Sequence, residues 1–185
     1  MNKSIFRPVA LAVLVLLAAA GWKLFFPHPE KVIRRRLTEL AKLASFGPKE
    51  GQLAKAVNAQ KAADYFTEDA EIVVDLTGYG SMKINGRNDL FQALLAARTQ
   101  LSMVEVQFLD MNVVLDPNKQ GAVVDLTAKG RVPGDRDIQV MELKVSLKLV
   151  DRKWLIRRVE TVKTLSRYHP GPPPQSVPLR FAVYD

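Results

Sequence analysis

The 185-residue chain contains no cysteine. Disulfides, thiolate nucleophiles and cysteine-held zinc are excluded together. Histidine occurs twice: His28 lies between two prolines and His169 lies in a proline-rich tail. Neither has a ligand-spaced partner, so no metal and no cofactor is expected. Aromatic residues make up 8% of the chain, and none is interleaved with the basic positions in the way that base stacking requires. Nucleic acid is therefore not an expected partner. Internal repeats are absent. Long apolar runs are absent too, except for one.

That run defines the N-terminus. Residues 1–7 form a short basic segment carrying Lys3 and Arg7. From Val9 to Gly21 every residue is apolar or small, and Trp22, Leu24, Phe25 and Phe26 extend the run past Lys23. As a helix, residues 9–26 span about 27 Å, close to the hydrocarbon thickness of a bilayer. Trp22 and Lys23 suit the far interface. A cleaved signal peptide is the rival, with Ala18-Ala19-Ala20 resembling a cleavage site. A buried core helix fits poorly, because the segment has no polar face. The expectation is a transmembrane anchor over residues 8–26, in contact with membrane lipid through residues 9–26. It makes the protein single-pass, in a bacterial inner membrane with the C-terminal domain outside the cytoplasm. Arg34, Arg35 and Arg36 follow closely enough to reach lipid phosphates.

The formal net charge is +8. It is spread along the chain, so a solvated basic surface explains it as readily as an anionic partner does. Residues 27–49 read as a linker and an amphipathic helix, with Ile33, Leu37, Leu40 and Ala44 at helical spacing and Gly47-Pro48 closing it. A second, alanine-rich helix is expected over residues 50–66. Residues 71–77 and 82–84 read as short strands around a turn at Gly78 to Ser81. Asn88 or Asp89 caps the next helix, which carries Leu90, Leu94 and Arg98 and ends near Leu101.

The period then changes from 3.6 to 2. Residues 103–115 form a strand whose apolar phase slips near Phe108-Leu109, as at a β-bulge. Residues 122–132 and 138–150 alternate cleanly. Ala122, Val124, Leu126, Ala128, Met141, Leu143, Val145 and Leu147 point inward. Asp151-Arg152-Lys153 is a tight hairpin, and residues 154–165 are the last strand. Residues 166–185 are a Pro-rich tail, in which Leu179 to Tyr184 has the pattern of an edge strand or docking segment. Helices followed by a run of strands define α+β, with helices packed on an antiparallel sheet. Lys129, Arg131, Lys144 and Lys148 fall on the outward sheet phase, a basic face able to meet a protein partner or a second copy of the chain.

Three patterns carry a resemblance over residues 50–165. Tyr65-Phe66-Thr67-Glu68-Asp69-Ala70 leads into a strand, Ile84-Asn85-Gly86-Arg87 opens a helix, and a charged hairpin precedes Trp154-Leu155-Ile156. In this order they resemble the nuclear transport factor 2-like superfamily, in particular its polyketide-cyclase-like branch. The resemblance implies a cystatin-like cone, a strongly curved sheet around helices, with a pocket for a small apolar ligand lined by Tyr65, Asp75, Tyr79 and Trp154. Asp75-Leu76-Thr77-Gly78 is similar to the segment that carries the general base of ketosteroid isomerases. Their oxyanion hole also needs a tyrosine and a neutral acid. No tyrosine lies near Lys49 to Leu53, and the acid's position corresponds to Val145. A strand-end carboxylate bonded to solvent or backbone is the alternative for Asp75. Asp125, Arg157 and Asp75 would make the Asp-Arg-Asp set of epoxide hydrolase-type members, but alternation puts Asp125 and Arg157 on the outward face. The expected function is a membrane-tethered binding or scaffold domain, similar to the inner-membrane scaffold subunit of type IV secretion systems. The alternative is an isomerase or hydrolase with Asp75 as base.

Overall fold

A computed structural model describes residues 28–76, 80–131 and 138–168, with the backbone alone at residues 76 and 163–168. The expected anchor, the turn containing Tyr79 and residues 169–185 lie outside the described residues. Among the described residues no helix is long and apolar enough to cross a membrane.

Helix α1 runs Pro29–Ala44, with Pro29 in its first turn, where a missing N–H costs nothing. It buries Ile33, Leu37, Leu40 and Ala41. The helix does not reach the expected cap at Gly47. Ser45 caps it, bonding Ala41 O through both its N–H (3.1 Å) and its hydroxyl (2.8 Å). Helix α2, Gln52–Ala63, is shorter than expected, since Phe66 is already in a strand. Strand β1 is Phe66–Leu76 and β2 is Gly80–Asn85. Helix α3, Arg87–Gln100, follows. Its N-cap is Gly86 rather than Asn88 or Asp89. Gly86 has φ 85° and ψ 157°, a region essentially confined to glycine. It donates its N–H to Ala70 O at 2.7 Å. Strands β3 (Glu105–Leu115), β4 (Gly121–Arg131), β5 (Ile138–Val150) and β6 (Lys153–Tyr168) complete the chain.

The six strands form one sheet in the order β2-β1-β6-β5-β4-β3. It is mixed, which corrects the antiparallel expectation. β1 and β6 run parallel, with Ile72 beside Val159. The reason is topological: α3 carries the chain to the far edge, a four-stranded meander walks back, and β6 arrives alongside β1 in the same direction. Alternation works as read. Val124 is 0% and Val145 3% exposed. These inward residues, with Phe66, Trp154 and Ile156, form one cluster with Ile33, Leu37, Leu40, Ala62 and Leu90 of the helices. Each fully buried aliphatic side chain contributes roughly 1.5–3 kcal/mol.

Bulges bend the sheet. In β3 the register shifts between Leu109 and Asn112, and Asp110 there has φ 51°. In β6, Glu142 pairs Lys163 while Leu143 pairs Thr161, leaving Val162 as the extra residue. The β3 edge is partly occupied. Phe46 bridges Val104, Ser45 bonds the N–H and C=O of Val106, and Arg34 donates to Met111 O.

Candidate functional site

Asp75 is exposed, near the end of β1. Its neighbours Ile72 and Val74 pack on the core, so alternation puts Asp75 on the outer phase with Glu71 and Val73. The Asp75 N–H donates to the Thr161 hydroxyl at 3.1 Å. On the same face Glu71 accepts from Lys83 and Arg158, both at 3.0 Å, and Arg158 also meets Glu160 at 3.0 Å. The Lys83 hydrogen bond, with the charge of Arg158 beside it, holds the Glu71 carboxyl below its ordinary value.

The other pocket expectations separate. Trp154 is 5% exposed and belongs to the core cluster. Tyr65 is half-buried, with the Arg36 guanidinium 4.5 Å over its ring and its hydroxyl donating to Glu39 at 3.3 Å. Burial, and then the Glu39 charge, push the phenol up. Tyr79 lies outside the described residues. Asp125 and Asp75 are on strands separated by β5 and β6, and Arg157 faces Asp69 at 3.9 Å. The Asp-Arg-Asp set is therefore not assembled.

The basic residues of the outer face are dispersed. Lys129 sits beside Gln107 and Val140, and Arg131 sits beside Glu105. Lys144 lies between Asp125 and Glu160. Lys148 is eight residues along β5 from Val140, about 26 Å, and lines a different depression. The three consecutive arginines have partners within the domain. Arg34 bonds Met111 O, Arg35 meets Glu39 at 3.5 Å, and Arg36 covers Tyr65.

One depression of about 390 Å³ is lined by Asp116, Gln120, Ser146 and Lys148. A groove of about 660 Å³ lies between the start of β1 and the β5–β6 hairpin. Its walls carry Glu68, Asp69, Arg87, Lys148, Lys153 and Arg157, and Val150 and Leu155 add apolar surface. Arg87 is committed to Phe66 O, at 2.9 Å and 2.6 Å. A shallower dent of about 310 Å³ lies on the outer sheet face between the two bulges, lined by Asp110, Asp125, Thr127, Glu142 and Val162. Among the described residues no group of three acidic or histidine side chains is arranged to hold a metal ion.

Sequence reasoning missed one pair. Arg98, an arginine at the spacing of Leu90 and Leu94, is 1% exposed. It donates to both Glu50 oxygens, at 2.6 Å and 2.7 Å, and to Leu43 O, and it lies 4.9 Å over the Phe46 ring. Asn58 donates to Glu50 at 2.6 Å. Burial alone would raise the Glu50 carboxyl. The bonds from Asn58 and Arg98 and the charges of Arg98 and Lys55 outweigh it and hold the carboxyl below its ordinary value. This knot joins α1, α2 and α3, so it builds the helical layer and supplies no reacting group.

Together these observations define an α+β domain, three helices against a six-stranded mixed sheet, with apolar side chains of the described residues packed between them. No protein-family model matches the chain, and neither does any curated protein. Solved structures do. The yeast UBP3-associated protein BRE5 superposes with a TM-score of 0.57 at 10% identity, over 76% of this chain and 99% of that one. An NTF-2 like protein of unknown function from Pseudomonas aeruginosa gives 0.57 at 11% identity, over 70% and 96%. A provisionally named scytalone dehydratase from Novosphingobium aromaticivorans gives 0.55 at 15%, over 76% and 86%. At such identities these likenesses establish the fold alone.

Proposed function

We propose that the chain is a membrane-tethered, non-catalytic binding or scaffold domain that meets a protein partner through the outer face of its sheet. One observation carries this reading: the acid–base candidate Asp75 stands on the outer phase, while the inner face beneath it is packed with apolar side chains. A general base must reach its proton within hydrogen-bond distance in an enclosed site. An exposed residue on the far side of the sheet from the core is not so placed. The apolar segment over residues 9–26 supports the tether. The name of the yeast neighbour, a protein associated with another protein, is consistent with a partner-binding role for this fold.

Two measurements test the reading. The full chain, expressed and fractionated, should stay in the membrane fraction with an intact mass that includes residues 1–26. A soluble mature chain beginning near Gly21 removes the tether. A photo-crosslinker placed at Lys144 should give a discrete protein adduct that one placed at Leu53, on α2, does not. A turnover that disappears in Asp75→Asn with the fold intact would instead establish the isomerase or hydrolase alternative.

A further inference from the structure

The outer dent is apolar at its sides and acidic within. Leu109 is 43% and Val162 57% exposed. Leu109 pairs Thr127, Thr127 pairs Glu142, and Glu142 pairs Lys163, next to Val162. Leu109 and Val162 therefore flank the dent from β3 and β6, about 14 Å apart by strand spacing. Between them lie Asp110, Asp125 and Glu142. None of these three makes an ion pair with a side chain that the structure describes. The left-handed bulge residue Asp110 adds its carboxylate at this point. A fitting occupant carries one cation with an apolar group on each side.

The chain supplies one. Residues 169–185 contain a single Lys or Arg, Arg180, and it lies between Leu179 and Phe181. We infer that Leu179-Arg180-Phe181 docks in this dent, with the guanidinium among the three carboxylates and the two apolar side chains on Leu109 and Val162. The reach fits. β6 ends at Tyr168, six residues beyond Val162, about 20 Å along the strand. Residues 169–178 hold five prolines. In a polyproline-type conformation ten residues span about 31 Å, enough to turn back over that distance. The docked segment covers part of the face assigned above to a partner, so the partner must displace it. That consequence rests on the proposed function, but the docking does not.

The absence of cysteine makes the test clean. In the full chain in detergent, Val162→Cys with Phe181→Cys should oxidise to an intramolecular disulfide, seen as a monomer that loses two mass units. The control pair Leu53→Cys with Phe181→Cys should not, since Leu53 projects from α2. Arg180→Glu in the first pair should slow closure at least about tenfold, because it sets a fourth negative charge among three. A maleimide reacting with Val162→Cys alone should likewise react about tenfold faster once Arg180→Glu is added. Equal closure in both pairs, or no effect of Arg180→Glu in either measurement, overturns the inference. Disulfide-linked dimers from Val162→Cys alone overturn it too, since they would put a second copy on this face.

Discussion

Without its guanidinium, Arg98 would leave the Glu50 carboxylate beside Asn58 in a site where its side chain is 11% exposed. An unmatched buried charge costs about 3–5 kcal/mol. Arg98→Ala should lower the denaturation free energy by that amount, read from urea midpoints at constant m. Arg98→Met combined with Glu50→Leu removes both charges together and should cost under about 1 kcal/mol. The pH dependence has a definite sign. The Glu50 carboxyl titrates lower folded than unfolded, so its contribution is present above about 4.5 and is lost as pH falls through the folded value. Thermal melts of the parent should fall below that pH, and the part of the fall due to this group should be missing in Glu50→Gln. Neither member of the pair announces itself in the sequence. Arg98 sits at a spacing that reads as part of an apolar stripe, and its partner is 48 residues away.

Elements differ in how much of themselves the sequence displays. β5 was legible to the residue, because Met141, Leu143, Val145 and Leu147 face the core while Glu142, Lys144, Ser146 and Lys148 do not. The end of α2 was not. Ala62 and Ala63 suit a helix as well as a buried edge, and only the packing of Phe66 in the core shows where the strand begins. The β3 bulge was visible as a slip of phase, close to the shift between Leu109 and Asn112. Helix α3 starts two or three residues before the position that side-chain capping at Asn88 or Asp89 predicts, because its cap is conformational. Gly86 supplies no hydrogen-bonding side chain. It supplies a backbone angle that other residues resist, and a Cβ there would meet Glu68 O at 3.3 Å. Gly86→Ala should therefore destabilise the domain by roughly 1–3 kcal/mol, measured by chemical denaturation.

At the scale of the molecule, fold class was readable and strand order was not. Periodicity reports which side chains share a face, but it is silent on which strand lies beside which. The parallel neighbours Ile72 and Val159 meet only because α3 moves the chain across the sheet and the meander returns it. The candidate site suffered in the same way. The segment Asp75-Leu76-Thr77-Gly78 leaves Asp75 open between a general base and a strand-end carboxylate, and the face it occupies follows only from its phase with Ile72 and Val74. One asymmetry of the sheet bears on assembly. At the β3 edge, backbone groups of Val104, Val106 and Met111 are engaged by Phe46, Ser45 and Arg34, whereas β2 is exposed except at Ile84, and no described strand pairs with its outer edge. A head-to-tail fibre needs two free edges per subunit. With β3 partly occupied, backbone pairing between copies favours the β2 edge among the described residues, and a β2-to-β2 pair uses both of those edges at once, closing a dimer rather than extending a fibre.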